Sequence, residues 1–97
     1  MITKKKIIEK IEKNKEAIRN YSVERIGLFG SYLNGKETPS SDIDFLVEFK
    51  ITNADNYFEL WYYLEKLFKG KKIDLVIESG LKPEVKYVLE EAEYVKI

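Results

Sequence analysis

Residues 30–47 read GSYLNGKETPSSDIDFLV, and this stretch decides the fold that the chain can adopt. Its second half alternates apolar residues with Asp42 and Asp44, which predicts a β-strand over 42–49 with one strongly apolar face and a second face that is acidic at its start. Side chains two positions apart in a strand project from the same face, so the two carboxylates point the same way. Two carboxylates on one face can bind the same hard cation, and such binding would explain why two acids lie on an otherwise apolar strand.

The first half of the stretch predicts a turn after another strand. Residues 25–29 form a short apolar run that ends at Gly30, as expected for a buried strand. Ser31 can cap a short helical segment, and Gly35 can end it in the left-handed conformation. Gly30 lets a ligand approach the backbone closely, and free N–H groups after it favour an anion. Gly30 and Ser31 are therefore candidate phosphate-binding residues.

A third acid has a similar setting, because Asp74 lies near the start of the apolar run 73–77. If the topology brings Asp42, Asp44 and Asp74 together, their oxygens suit Mg²⁺, which binds a few carboxylates together with substrate phosphates. Two such ions stabilise the attacking and leaving oxygens of a phosphoryl displacement. Phosphate contacts beside metal ligands predict a nucleoside triphosphate as substrate. The alternative for Asp74, taken alone, is an acid that simply faces solvent on an edge strand.

The remaining sequence predicts helices that cover a small sheet. An amphipathic helix runs from a Thr3 cap to about Asn20, with isoleucines on its buried side. Asn56 and Glu59 resemble a capping box that opens a second helix, which ends at Gly70. Its expected inner side carries Phe58, Trp61, Leu64, Leu67 and Phe68.

The C-terminal part predicts one more helix and a short strand. Pro83 suits the first turn of a helix that continues to Glu91, with Val85, Val88 and Leu89 inside, and 94–97 could add a strand. Strands separated by helices indicate an α/β or α+β class, a small mixed β-sheet packed with helices.

Composition narrows the possible functions. The 97 residues suit one domain over 1–97, and 17 basic residues balance 17 acidic ones, which disfavours binding to extended nucleic acid. Cysteine and histidine are absent, so carboxylates must carry any metal or acid–base chemistry. The sequence has no signal peptide or membrane-spanning run, and a cytoplasmic protein is the expectation.

The pattern Gly-Ser, ten residues, Asp-x-Asp in residues 30–44 resembles the DNA polymerase β-like nucleotidyltransferase superfamily. Within it, the chain is most similar to the minimal nucleotidyltransferases, and in particular to MntA-type antitoxins of type VII-like HEPN/MNT toxin–antitoxin pairs. The resemblance implies the polymerase β-like fold and transfer of AMP from ATP to a tyrosine hydroxyl of a HEPN ribonuclease toxin.

The resemblance also implies roles for particular residues. Gly30 and Ser31 would hold the triphosphate of ATP, and Asp42 and Asp44 would bind two Mg²⁺ ions and the nucleotide. Asp74 would complete one metal site and could take the acceptor proton. A hetero-oligomer with the toxin is implied, without a membrane partner.

Two other functions stay open at this point. One is nucleotidyl transfer to a small molecule such as an aminoglycoside, although the chain leaves little surface for a small-molecule pocket. The other is a catalytically silent binding antitoxin, for which Asn34 is the hint, because many relatives carry Arg there. Asn34 lacks the charge that Arg offers to a phosphate.

Overall fold

A four-stranded mixed sheet forms the centre of the computed structural model, which describes residues 2–97. The strands lie side by side in the order β3-β2-β1-β4. Strand β1 is antiparallel to both of its neighbours, whereas β2 and β3 are parallel. Their bounds are β1 Val23–Phe29, β2 Ile43–Phe49, β3 Ile73–Ile77 and β4 Glu93–Lys96. The predicted strands and the mixed α+β class are confirmed.

Five α-helices accompany the sheet in the described part of the chain. They are α1 Lys4–Lys13, α2 Lys15–Arg19, α3 Ser31–Asn34, α4 Ala54–Leu67 and α5 Val88–Glu91. Thr3 caps α1 as predicted, because its Oγ1 accepts a hydrogen bond from the Lys6 N–H at 3.3 Å. The prediction of one helix to Asn20 was wrong, because the helix is interrupted at Asn14. The Asn14 side chain donates to the Lys10 carbonyl at 2.7 Å, the kind of local bond that competes with helix continuation.

Helix α4 begins earlier than the sequence indicated. Asn53 is its cap, and the Asn53 Oδ1 accepts from the Asn56 N–H at 2.8 Å. The predicted capping box of Asn56 and Glu59 was therefore wrong. Both asparagines suit a cap, but the Asn56 side chain donates to the Ile51 carbonyl at 2.8 Å instead.

The buried side of α4 also differs from the prediction. Leu60, Leu64 and Phe68 are buried, whereas Phe58 is 63% exposed. Trp61 and Leu67 are half-buried at the border of this stripe. The expectation for Phe58 was wrong, because the helix turns its leucines rather than its first phenylalanine towards the sheet.

The hydrophobic core lies between one face of the sheet and helices α1, α2 and α4. Alternate strand residues supply the sheet side, in keeping with the period of two. Its buried members include Ile7, Ile11, Ile18, Ile26, Leu28, Ile43, Phe45, Val47, Leu60, Leu64, Ile73, Leu75 and Val95. The opposite face of the sheet carries Asp44 and Glu48 of β2 and Asp74 of β3, with the buried Leu46 between the first two.

The connection from β3 to β4 passes from one edge of the sheet to the other. It contains two 3₁₀ turns, Glu78–Gly80 and Pro83–Val85, followed by the short α5. The predicted single helix over 83–91 was wrong, and Val85 is exposed. The segment is divided at Lys86 and Tyr87 into a 3₁₀ turn and a four-residue α-helix.

No helix within residues 2–97 is long and apolar enough to cross a membrane.

Candidate active site

Three neighbouring strands bring the predicted site residues to one end of the sheet. Asp44 pairs with Phe29 of β1 on one side and with Asp74 of β3 on the other. Gly30 follows Phe29 directly, so Gly30, Asp44 and Asp74 are adjacent on consecutive strands. The topology that the sequence could not establish thus joins the Gly-Ser turn to two of the acids.

Gly30 has a conformation that only glycine adopts readily, with φ 76° and ψ −150°. Its Cα also lies directly against the Asp44 carboxylate. A Cβ at this position would stand 2.9 Å from the Asp44 Cγ, and closer still to one carboxylate oxygen. Glycine is therefore required here both by the backbone and by the side chain beside it.

Asp44 is the most perturbed acid of the site. Burial, the charge of Asp74, a hydrogen bond to Asp74 and the charge of Asp42 together raise the pKa of Asp44 to about 6. Burial is the largest of these causes, because a charged carboxylate loses hydration there. Such a carboxylate gains from a nearby cation, which would offset both the lost hydration and the repulsion.

Asp42 lies two residues before Asp44 and just outside β2, although the strand was predicted from residue 42, and Asp74 lies opposite Asp44 on β3. Asp42 is half-buried just before β2, and Asp74 is exposed on the edge strand. Within residues 2–97, no three acidic side chains converge closely enough to hold an ion between them. Two carboxylates nevertheless fit Mg²⁺, which takes its other ligands from water and phosphate. The metal-binding role of the three acids stays a prediction.

The turn after Gly30 is a single turn of helix. Gly30 itself occupies the cap position without a side-chain bond, so the expectation that Ser31 caps this segment was wrong. Ser31 is the first helical residue, and its backbone carbonyl accepts from the Lys36 N–H at 2.9 Å. Gly35 ends the turn in the left-handed conformation with φ 71°, as predicted. Asn34 is exposed at the end of this turn.

The loop that leads to Asp42 is held by polar contacts. The Thr38 N–H donates to the Ser41 Oγ at 2.8 Å, and the Lys71 Nζ donates to the Pro39 carbonyl at 2.8 Å. These contacts connect the loop to the segment just before β3. The approach to Asp42 is therefore held by a contact within the loop and by Lys71, which lies two residues before β3.

Arg25, Glu78 and Tyr94 form a hydrogen-bonded cluster that the sequence did not predict. Glu78 is only 4% exposed and accepts two hydrogen bonds from Arg25, at 2.8 and 3.0 Å, and one from the Tyr94 Oη at 2.8 Å. The Arg25 guanidinium also stacks on the Tyr94 ring, 4.6 Å from its centroid. Burial and the bond to Glu78 raise the pKa of Tyr94 to about 12. The only local signal was an Arg at the start of an apolar strand.

The fold and the site can now be compared with known proteins. Residues 4–95 match the family described as "Nucleotidyltransferase domain". The chain belongs to the nucleotidyltransferase family.

Its relatives within this family span almost the whole chain. Protein adenylyltransferase MntA of Thermococcus cleftensis is 40% identical over 98 aligned positions, which cover 98% of each chain. "Putative protein adenylyltransferase MJ1379" of Methanocaldococcus jannaschii is 42% identical over 96, covering 94% of this chain and 95% of its own. The predicted resemblance to minimal nucleotidyltransferases is confirmed.

Solved structures show the same nucleotidyltransferase fold. One described as a "putative minimal nucleotidyltransferase" superposes with a TM-score of 0.80 at 29% identity, covering 95% of both chains. A toxin-antitoxin structure with AMP-PNP gives a TM-score of 0.66 at 24% identity, covering 96% of this chain and 72% of its own. At that lower identity, the likeness establishes only the shared fold.

Proposed function

We propose that this nucleotidyltransferase is a protein adenylyltransferase that acts as an antitoxin. It transfers AMP from ATP to a tyrosine hydroxyl of a partner toxin, a HEPN-type ribonuclease, and thereby silences it. The observation that carries the proposal is the pairing of Asp44 with Asp74 beside Gly30, in a chain whose relatives are named protein adenylyltransferases. Solved toxin-antitoxin structures with the same fold support a toxin as the partner.

The proposed site uses the residues that the topology brings together. Gly30 and Ser31 contact the triphosphate, because their backbone turn lies directly beside the Asp44 carboxylate, which is proposed to hold the metal ions. Asp42, Asp44 and Asp74 hold two Mg²⁺ ions, which is consistent with the raised pKa of Asp44 in their absence. When bound, Mg²⁺ supplies positive charge that stabilises the phosphoryl oxygens during transfer.

The reaction is a displacement at the α-phosphorus of ATP. The acceptor tyrosine oxygen forms a bond to this phosphorus, and the bond from phosphorus to the α–β bridging oxygen breaks. Pyrophosphate leaves, and Asp74 takes the phenolic proton. The exposed position of Asp74 gives a protein acceptor access to this proton-accepting group.

The proposal treats residues 1–97 as one minimal nucleotidyltransferase domain. One continuous hydrophobic cluster and a family match over residues 4–95 support it. The reaction is proposed to take place in the cytoplasm, where ATP is available.

The direct test is an incubation with ATP, Mg²⁺ and a HEPN protein encoded beside this chain. Intact-mass analysis of the toxin should show the addition of AMP, and peptide mapping should place it on a tyrosine. A variant with Asp42→Asn and Asp44→Asn should still bind the toxin but transfer no AMP. The double variant Asp55→Asn with Glu59→Gln, which removes two exposed acids on α4, serves as the charge-matched control and should keep full activity.

Other results would identify the alternative functions. A toxin that is inhibited while its mass is unchanged would indicate a binding antitoxin without catalysis. Turnover of a small acceptor such as an aminoglycoside in the absence of any protein partner would indicate a small-molecule nucleotidyltransferase.

A further inference from the structure

Strand β3, which carries Asp74, is an edge strand whose outer side is covered by helix α4. The Tyr57 Oη donates to the Leu75 carbonyl at 2.6 Å, and the Trp61 Nε1 donates to the Ile73 carbonyl at 3.2 Å. Edge strands otherwise present unpaired backbone groups that can pair wrongly or move. Two side chains one helical turn apart on α4 therefore donate hydrogen bonds to two carbonyls on the free edge of this strand.

The two carbonyls belong to the residues on either side of Asp74. On the opposite side of the strand, β3 is fixed to β2, where the Lys72 carbonyl accepts from the Ile43 N–H at 3.0 Å. The side chains of Ile73 and Leu75 are 3% and 5% exposed in the core. The backbone around Asp74 is thus fixed by α4 on one edge, by β2 on the other and by the two buried neighbouring side chains, while Asp74 itself is exposed.

We infer that Tyr57 and Trp61 are positioning residues, which keep the Asp74 carboxylate in register with Asp44 for cation binding. The metal-binding role of Asp74 comes from the proposed function, whereas the two hydrogen bonds to β3 are observed in the structure. Groups that hydrogen-bond directly to the ligands of a metal ion strongly affect its affinity when they are removed. Tyr57 and Trp61 act one step further out, through the backbone carbonyls on either side of Asp74. Loss of either donor should therefore weaken cation binding without removing a ligand.

Helix α4 also contains a matched control. Tyr63 is half-buried like Tyr57, and its Oη donates to the Asn14 Oδ1 at 2.8 Å, a contact that joins α4 to the N-terminal helices. Replacing Tyr63 by Phe removes one hydrogen bond between elements, as Tyr57→Phe does. Of these two tyrosine variants, only Tyr57→Phe leaves a backbone carbonyl of β3 without its donor.

The test compares Tyr57→Phe, Trp61→Phe and Tyr63→Phe in the full chain. Mn²⁺ binding in the presence of a non-hydrolysable ATP analogue is measured by the electron paramagnetic resonance signal of free Mn²⁺. Thermal unfolding is measured on the same variants, together with the Mg²⁺ dependence of AMP transfer to the proposed HEPN-type toxin. Tyr57→Phe should raise the Mn²⁺ dissociation constant by about threefold or more, below the roughly tenfold effect expected for a group bonded to the ligand itself, and Trp61→Phe by a smaller factor. Tyr63→Phe should change it less than about twofold at a similar loss of thermal stability.

Several outcomes would overturn this inference. They are an unchanged Mn²⁺ constant in both β3-edge variants, an equal change in Tyr63→Phe, or a wild-type chain that does not bind Mn²⁺. If Tyr57→Phe does not fold, the comparison of Trp61→Phe with Tyr63→Phe decides the matter. A wild-type chain that binds Mn²⁺, shows the expected difference between variants, but transfers no AMP would refute the proposed function and leave the positioning role standing.

Discussion

Asp44 and Asp74 stand opposite each other in the parallel pairing of β2 with β3, where burial and the charge of Asp74 raise the pKa of Asp44 to about 6. Two acids this close cannot both be charged without cost unless a cation lies nearby. The ligand-free site is therefore destabilised at neutral pH. The free energy of unfolding should therefore rise when the charge of Asp44 is removed.

Replacing Asp44 by Asn should stabilise the metal-free protein above pH 6. The folded state raises the pKa of Asp44 from 3.8 to about 6, so the folded state binds this proton more tightly than the unfolded state does. The resulting stabilisation is complete below pH 4 and is lost as the pH rises to 6. After allowance for partial exposure, Asp44→Asn should gain about 1–2 kcal/mol at pH 7.5.

Thermal unfolding between pH 3.5 and 8 in the presence of a chelator checks this expectation. The variant should lose the pH dependence between about pH 4 and 6 that this group contributes. Glu90→Gln, which removes an exposed acid, is the control and should leave the profile unchanged. A wild-type chain that is more stable than Asp44→Asn without metal would contradict the repulsion between the two acids.

Gly30→Ala should be strongly destabilising, because it violates two requirements at once. The residue has φ 76° and ψ −150°, and a new Cβ would collide with the Asp44 carboxylate. We expect a loss of about 3 kcal/mol or more in the free energy of unfolding, together with loss of ATP binding. Denaturant unfolding and calorimetric titration with ATP provide the measurements.

Two other glycines separate these causes. Gly35 has φ 71° but open space around its Cα, so Gly35→Ala should cost only about 1 kcal/mol through backbone strain. Gly80 has neither a positive φ nor a neighbour within 4 Å, and Gly80→Ala should be nearly neutral. Equal losses at all three positions would show that the Asp44 contact is unimportant.

Tyr32→Phe should make the protein more stable. The Tyr32 side chain is 1% exposed, and within residues 2–97 its hydroxyl has no hydrogen-bond partner. A buried polar group without a partner costs about 1–3 kcal/mol, and its removal should recover about 1 kcal/mol after the loss of packing. Thermal and denaturant unfolding measure the change, and a loss of stability would indicate a bound water at this hydroxyl.

The sequence predicted those parts of the site in which the pattern itself reflects the structure. Alternation in residues 43–49 and the apolar run 73–77 identified β2 and β3, because side chains of a strand alternate between two faces. Gly30 was recognisable because a strand that ends at glycine followed by serine indicates a turn. The juxtaposition of Asp44 with Asp74 needed the parallel pairing, which depends on the whole fold.

Other features could not be predicted from local patterns. Helix α4 contains five aromatic residues in seven positions, so the sequence alone did not distinguish the exposed Phe58 from the residues that face the sheet. Tyr57 and Trp61 use their polar atoms on β3, which hydrophobicity does not register. The contact between Arg25 and Glu78 joins residues 53 positions apart, and no local signal marks such a pair.

Glu78→Gln and Glu78→Ala should both destabilise the chain, because Glu78 anchors the connection between β3 and β4. Its carboxylate accepts bonds from Arg25 and Tyr94, and its removal leaves both donors without this partner. Because Arg25 is 48% exposed and can regain water, we expect Glu78→Ala to cost about 2 kcal/mol, less than a fully buried pair would. Glu78→Gln should cost less, since an amide oxygen can still accept one bond.

The exposed pair of Lys15 and Glu12, at 3.0 Å, is the matched control for this prediction. Glu12→Gln should change the free energy of unfolding by less than about 0.5 kcal/mol, because solvent screens the pair. Denaturant unfolding measures the stability of each variant, and hydrogen exchange of residues 78–92 should accelerate only in the Glu78 variants. If Glu78→Ala is no more destabilising than Glu12→Gln, the connection must be held to the sheet by its apolar contacts instead.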